Sequence, residues 1–404
     1  MPASAHAISS KHRTAAVILA GFGAFLQIWA TQPLLPLLQR LFHTSEITAG
    51  LTVTVPSLGV AVAAPFAGFL ADRFGRRRVI VWSAFLLALS AFATSTATTL
   101  AQLLFWRFWQ GVFTPGVFAI TVAYINDEWR EAGAGRMVAA YVSGTVSGGF
   151  SCRAISGLVA AHAPWQTVFL VLGALNFLVA LAVWIWLPAD SHTHAHTLER
   201  GWMAALTAHL QNRRLFAAFL VGFCVLFSLV GVFTYVTFYL AAPPFELQPA
   251  ALGSIFFVYL AGIVVTPMAG RAIDKHGHRA ALASAIVLST IGIVITLSAH
   301  FWVVVFGLAL CCTGVFVAQA TASAYVGTAT DKNRALAIGL YSTFYYLGGS
   351  AGASLPGIFY SRGGWAACAV FLALVQAVTV MVALSFWERP AMAASSGDVK
   401  SISA

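Results

Sequence analysis

Two arginines stand where an arginine is expensive. Arg107 lies in the apolar stretch Leu104-Phe105-Trp106-Arg107-Phe108-Trp109-Gln110-Gly111, and Arg153 in the glycine-rich stretch from Gly144 to Gly157. A cation in hydrocarbon costs about 2.5–3.5 kcal/mol on insertion scales, so it faces a bundle interior or a watery path and finds a partner there. Gln110, Thr114 and Phe118 follow Arg107 at helical spacing and give one polar-to-aromatic face. Two chemistries fit such residues: handling of a moving charge, either a proton or a substrate anion, and bonding to backbone carbonyls as structural glue.

The carboxylates point away from enzyme chemistry. All twelve lie outside the middle of the apolar stretches, with Glu46, Asp72, Asp127 and Glu128 at their ends. No Ser/His/Asp set, HExxH helix or metal-ligand cluster appears within the apolar stretches, so neither catalysis nor a metal or organic cofactor is expected. His192, His194 and His196 alternate in a polar loop. A metal site would need a fixed scaffold and a further ligand, so a solvated linker is expected there.

The elements that must position the arginines are membrane helices. The chain has 404 residues, is 60% hydrophobic and has a mean hydropathy of +0.85. Its apolar residues come in runs of about twenty or more, long enough to cross a bilayer. Spans are predicted at 14–38, 47–71, 79–98, 100–126, 136–161, 165–187, 214–241, 250–272, 279–299, 301–329, 335–360 and 365–387. The segments read as an N-terminal tail (1–13), a six-helix bundle (14–187), a central loop (188–213), a second six-helix bundle (214–387) and a C-terminal tail (388–404). The halves repeat: Gly68, Asp72 and Gly75 recur as Gly270, Asp274 and Gly277, and Gly148, Gly149 and Gly157 as Gly348, Gly349 and Gly357.

A formal charge of +10 invites a nucleic-acid partner, but the placement of the charges rejects one. Eighteen of the 22 Lys and Arg fall in the tails or in loops on one side, and only Arg40 and Arg362 fall on the other. That asymmetry is the positive-inside rule, and it puts both termini in the cytoplasm. The five cysteines all lie in apolar spans, which argues for free thiols and no disulfide framework.

The densest charge cluster joins spans two and three: Gly68-Phe69-Leu70-Ala71-Asp72-Arg73-Phe74-Gly75-Arg76-Arg77-Arg78. Gly75 permits a tight turn, Gly68 permits close approach of a neighbouring helix, and Asp72 can meet a basic side chain or a helix N-terminus. This stretch resembles the G-x-x-x-D-R-x-G-R-R/K signature of the major facilitator superfamily. The resemblance implies twelve transmembrane helices in two six-helix pseudo-repeats, with this loop (Gly68, Asp72, Arg73, Gly75, Arg76) as a conformational latch. The family latch pairs Arg76 with Asp127 or Glu128. The second copy is degraded, with Lys275, His276 and His278 replacing part of the basic pattern, so the stronger latch is expected in the first half.

Further motifs carry the resemblance. Arg107 to Gly111 resembles the family's R-x-x-Q-G motif in helix four, which is associated with proton transfer. Span five resembles the antiporter motif of helix five in position and glycine content, but Arg153 stands near the expected proline. That places it closer to the acriflavine-sensitivity-type branch of drug:proton antiporters. Gly144, Gly148, Gly149 and Gly157, with Gly348 and Gly349, read as helix-packing glycines. Because helices 1, 4, 7 and 10 line the cavity of this fold, Gln27, Gln32, Tyr235, Phe238, Phe316 and Gln319 join Arg107, Gln110, Thr114 and Arg153 as coupling or substrate candidates. Tyr341, Phe344, Tyr345 and Tyr346 suit an amphipathic or aromatic substrate.

The expected protein is a monomeric multi-pass transporter of the cytoplasmic membrane. It exports small amphipathic compounds by alternating access, with the proton gradient as energy source. The missing mid-span carboxylate keeps alternatives open. Two buried arginines also suit an uptake carrier or exchanger for a small organic anion, and a multi-span membrane enzyme is a remote third.

Overall fold

The computed structural model describes residues 10–129, 133–188, 202–330 and 333–387. The His192, His194 and His196 run, residues 1–9 and the tail 388–404 lie outside the described residues. All regular elements among the described residues are helices.

The first span is not one helix. Helix α1 (Ser10–Phe25) stops, a 3-10 turn occupies Gln32–Leu34, and α2 (Leu35–Leu41) resumes the crossing. The predicted helix over 14–38 is therefore corrected to a broken one. Pro33 and Pro36 supply no N–H to the helical ladder and crowd the carbonyls four residues earlier. Between residues 26 and 34 the backbone follows i to i−3 bonds, such as Ala30 N–H to Gln27 O at 3.1 Å and Leu34 N–H to Thr31 O at 2.9 Å.

Unbroken helices follow. They are α3 (Glu46–Phe74), α4 (Arg76–Ser95), α5 (Leu100–Glu128), α6 (Ala134–Ala160) and α7 (Trp165–Trp186). Ser45 and Thr99 start α3 and α5 as N-caps, accepting from Thr48 N–H at 3.2 Å and Gln102 N–H at 3.3 Å. The central segment read as a loop contains α8 (Trp202–Gln211), and Asn212 then caps α9 (Arg213–Ala241). The eighth crossing is interrupted too: α10 (Pro249–Ser254) leads into a 3-10 segment, Ile255–Leu260. Helix α11 (Ala261–Ile295) runs through the eighth and ninth spans and bends at Gly277, whose φ of 76° suits a residue without Cβ. Then come α12 (Phe301–Ala329), α13 (Arg334–Ser354) and α14 (Pro356–Phe386), the last bent at Gly363 and Gly364.

Among the described residues eight helices are long and apolar enough to cross a membrane on length and composition alone. The first and eighth spans fall outside that set because their helices are interrupted. The fifth and eleventh, α6 and α13, fall outside it while carrying the glycine-rich faces that pack helices closely.

The two halves pack alike. Helix α1 lies on α6 as α9 lies on α13, α3 on α5 as α11 on α12, and α4 on α7 as α11 on α14. The halves meet along a seam where α3 faces α13 and α6 faces α10. Near the face that carries Glu46 this seam is tight. Thr54 and Ser354 hydroxyls bond at 2.6 Å, a Cβ on Gly50 would lie 2.6 Å from Ala353 O, and Gly157 abuts Pro249 and Gly253. Toward the face that carries Asp72, α3, α6, α11 and α13 leave space. A Cβ on Gly68, Gly135, Gly270 or Gly339 would meet nothing within 4 Å. The close approach expected at Gly68 is thus not made in this conformation, because the seam is parted at that end.

Candidate functional site

Arg107 is fully buried on α5. Its Nε donates to Thr52 O at 3.1 Å, Nη1 to Gln27 O at 2.7 Å and to Gln110 Oε1 at 2.5 Å, and Nη2 to Ile28 O at 2.5 Å. Ile28 O is a carbonyl released where α1 ends, and Gln27 O beside it otherwise takes only the 3-10 bond from Ala30 N–H. A break in a membrane helix needs such a donor, because lipid supplies none. Gln110 Nε2 passes the chain on to Thr94 Oγ1 at 2.9 Å, and Thr114 bonds back to Gln110 O at 2.7 Å. The planar fork of arginine suits three convergent carbonyls as no lysine can. All of these partners belong to the first half.

Arg153 sits at the seam and is 3% exposed. Its Nε donates to Gln32 Oε1 at 2.7 Å, and Nη1 bonds Gly149 O one turn back on α6. Among the described residues its Nη2 has no acceptor. Three rings surround the guanidinium: Trp29 with its centroid at 5.5 Å, Phe256 at 4.9 Å and Tyr259 at 4.5 Å. Cation–π contacts of this kind strengthen when desolvated. Trp29 comes from the break in the first span. Phe256 and Tyr259 come from the 3-10 segment of the eighth, so both interrupted crossings converge on one cation from opposite halves. Gln32 Nε2 and both side-chain polar atoms of Gln27 are buried with no partner among the described residues.

The remaining candidates divide. Tyr235 is buried, and its hydroxyl donates to Ala353 O at 2.8 Å and Ser354 O at 3.2 Å, so it braces the seam from within the second half. Phe238 lines a shallow cavity of about 670 Å³ at the Glu46 face, with Arg40, Glu46 and Tyr360. Phe316 is half-buried with its ring 5.7 Å from Tyr259, and Gln319 accepts from Tyr341 Oη at 3.0 Å. Next to these, Tyr341 stacks on Tyr345 at 6.0 Å, and Phe118 of the first half meets Tyr346 of the second at 5.9 Å. Phe316, Gln319, Phe118 and the α13 tyrosines therefore gather beside the Arg153 cage, whereas Tyr235 and Phe238 lie toward the closed face. Gly144, Gly148 and Gly348 abut the carbonyls of Ile18, Phe22 and Phe223, and Gly349 abuts the Leu226 side chain, as packing glycines do. Gly149 differs from that expectation: its nearest neighbour is the Arg153 guanidinium, and its carbonyl serves that group.

The turn motif is partly engaged. Arg76 pairs with Asp127 at the end of α5 and donates to Ala123 O at 3.0 Å. Arg77 donates to Leu187 O and Trp184 O, both at 2.6 Å, and so closes the C-terminus of α7. Arg279 closes the C-terminus of α14 in the same way through Leu384 O. Gly75 turns the chain at φ 90°. Asp72 is exposed and among the described residues has no partner, because the seam is parted beside it. Arg73 is exposed and lies over the Phe74 ring at 5.7 Å. In the second copy His278 replaces the Arg76 ion pair with an edge contact to Tyr325 at 5.5 Å.

The Trp29, Phe256 and Tyr259 cage has no sequence motif. Its signal lay in the polar and proline residues of the first span, Gln27, Thr31, Gln32, Pro33 and Pro36, which mark a helix under interruption. No group of three or more His, Cys, Asp or Glu that could hold a metal occurs among the described residues.

The sequence profile of the Major Facilitator Superfamily matches residues 17–265 and 240–403. The chain belongs to this superfamily. It is 30% identical over 375 residues to the uncharacterized MFS-type transporter YybF of Bacillus subtilis (strain 168), covering 93% of this chain and 91% of that protein. It is 26% identical over 370 residues to the inner membrane transport protein YnfM of Escherichia coli (strain K12), covering 91% and 89%. Among solved structures, the nucleoside transporter NupG superposes with a TM-score of 0.76 at 13% identity, covering 93% of this chain and all of that one. The chain is thus a multi-pass membrane transporter. Its relatives and structural neighbours are transporters rather than enzymes.

Proposed function

We propose that the chain is a secondary transporter of the cytoplasmic membrane that exports small amphipathic compounds by alternating access, driven by the proton gradient. The aromatic gathering at the seam supports this reading. Phe118, Tyr346, Tyr345, Tyr341 and Phe316 come from both halves and offer apolar faces with hydroxyls at their edges, which suits ring-bearing substrates. With the termini in the cytoplasm, as the distribution of Lys and Arg indicates, the parted end of the seam opens inward. A bacterial homolog of the human lysosomal transporter Spinster, solved in an inward-facing and unoccupied conformation, superposes with a TM-score of 0.76 at 16% identity.

A second reading rests on Arg153. A guanidinium with a free Nη2, beside an unpartnered Gln32 amide and with no carboxylate nearby among the described residues, suits a small organic anion. The human organic anion transporter MFSD10 superposes with a TM-score of 0.68 at 18% identity.

Vesicles carrying the purified protein, with a proton gradient imposed in either direction, separate the two. Export of amphipathic cations or neutral compounds against an inward proton gradient supports the first reading. Gradient-independent exchange of carboxylates, with a KM raised about tenfold or more by Arg153→Lys through loss of the planar fork, replaces it with the second.

A further inference from the structure

One feature of the first half serves neither the seam nor the turn latch. A groove of about 510 Å³ runs between α3, α4 and α5 on the outer surface of the bundle. Its walls are apolar and aromatic: Val62, Phe66, Phe74, Trp82 and Phe113. Trp82 is 66% exposed, Phe66 56% and Phe74 54%, so the groove faces what surrounds the bundle. Arg78 lines its end at the Asp72 face. Arg76 is spent on Asp127 and Arg77 on α7 carbonyls, but Arg78 is exposed and among the described residues has no hydrogen-bond or ion-pair partner.

The dimensions match one leaflet. From Phe74 to Val62 along α3 is twelve residues, or about 18 Å of helix rise. Half the hydrocarbon core of a bilayer is about 15 Å. The apolar walls therefore cover the depth of the acyl chains on one side of the membrane, and Arg78 stands at headgroup level. The second half repeats the helices without this chemistry: at the offset that relates Gly75 to Gly277, Arg78 becomes Ala280 and Trp82 becomes Ser284.

We infer that this groove is a specific site for an anionic phospholipid, with an acyl chain along α3 and α4 and the phosphate on Arg78. The leaflet with the anionic surface is the one that attracts such exposed arginines. The occupant is a lipid rather than a free anion because the walls recognise a chain and, besides the arginine, offer only the Ser83 hydroxyl as a polar side chain.

The test uses the purified full chain in detergent, with lipid retention counted by native mass spectrometry after mixing with phosphatidylglycerol and phosphatidylcholine of equal chain length. Retention of phosphatidylglycerol over phosphatidylcholine by roughly fivefold is expected, the size of one arginine's attraction to an anionic headgroup. Arg78→Gln should bring that ratio close to one. Val62→Trp, which fills the groove, should lower retention of both lipids, and Arg271→Gln, an exposed arginine on the same face of the second half, should change neither. Equal retention by the wild-type protein overturns the site, as does an unchanged preference in Arg78→Gln or an equal loss in Arg271→Gln. Displacement of the lipid by inorganic phosphate at the same concentration also overturns it, since the chain would then contribute nothing.

Discussion

The two six-helix halves share a scaffold and differ in charge. The first half holds both buried arginines, the Arg76–Asp127 pair and Arg78, which is unpaired among the described residues. Its counterpart keeps the helix order and the close glycine contacts, yet α12 carries no charged residue and α13 only Arg334 at its first position. Where Arg76 meets a carboxylate, His278 meets the Tyr325 ring, and Tyr325 in turn stacks on Trp387 at 4.1 Å. The helix breaks are unlike as well. The first half breaks its first span and spends Arg107 to satisfy it, whereas the second breaks its eighth span and presents two rings to Arg153. Packing is thus duplicated while polar chemistry is concentrated on one side. A rocking-bundle transporter needs only one half to carry the charge whose partner changes, provided that the other supplies a surface for it to meet.

The largest expected effect comes from removing Arg107. Arg107→Met strands the Ile28 carbonyl in a fully buried site, at about 1–3 kcal/mol for an unsatisfied group, and leaves the Gln27 and Thr52 carbonyls with only the bonds from Ala30 N–H and the Thr31 hydroxyl. The folded yield and melting temperature of the detergent-solubilised protein should fall sharply, and Arg107→Lys should recover only part of the loss, because an ammonium lacks the planar fork that meets all three carbonyls at once. An Arg107→Met protein with normal folded yield but no transport would assign the residue to coupling instead. Normal yield together with normal transport would remove it from both roles. No comparable position exists in α12, so single substitutions of its half-buried polar residues, such as Gln319→Met, should leave folding near normal.

How much of this was legible in the sequence follows from the same asymmetry. The turn motif, the span count and the glycine contacts at Gly144, Gly148 and Gly348 are short-range or periodic features, so spacing alone reveals them. The arginines were visible as costly residues, but their partners were not. A backbone carbonyl freed by a helix break leaves no residue type to read, and a ring cage assembled from the first, fifth and eighth spans has no spacing at all. Pro33 and Pro36 could have announced the break in the first span. The 3-10 segment Ile255–Leu260 contains no proline or glycine, and only its tertiary contacts with α6 and α12 set it apart.

A smaller effect should separate the two turn copies. Asp127→Asn removes the partner of Arg76, a pair whose side chains are each 20% exposed. The contribution of such a pair is on the order of 1 kcal/mol, enough to shift the ratio of the two transport conformers by roughly fivefold. Asp72→Asn should slow transport while leaving the inserted protein and its stability in this conformation unchanged, since among the described residues Asp72 has no partner here and can act only when the seam closes on its side. Asp274→Asn and His278→Ala should each do less. Transport rates in one vesicle preparation, normalised to inserted protein, make the comparison, and equal losses from Asp72→Asn and Asp274→Asn would erase the asymmetry between the copies.

The smallest effect is expected where the halves agree. Arg77 and Arg279 lie 202 positions apart, the same offset that relates Gly75 to Gly277, and each reaches the last carbonyls of the final helix of its own half. Four carbonyls at a helix C-terminus lack intrahelical donors, and a cation there also meets the negative end of the helix dipole. Such a contact is worth about 0.3–1 kcal/mol where solvent reaches it. Arg77→Gln and Arg279→Gln should therefore lower the melting temperature by similar small amounts, and the double variant should show the sum, because the two sites share no partner. If Arg77→Gln alone were costly, the capping role would be unequal, and the charge asymmetry between the halves would extend even to the positions where their geometry coincides.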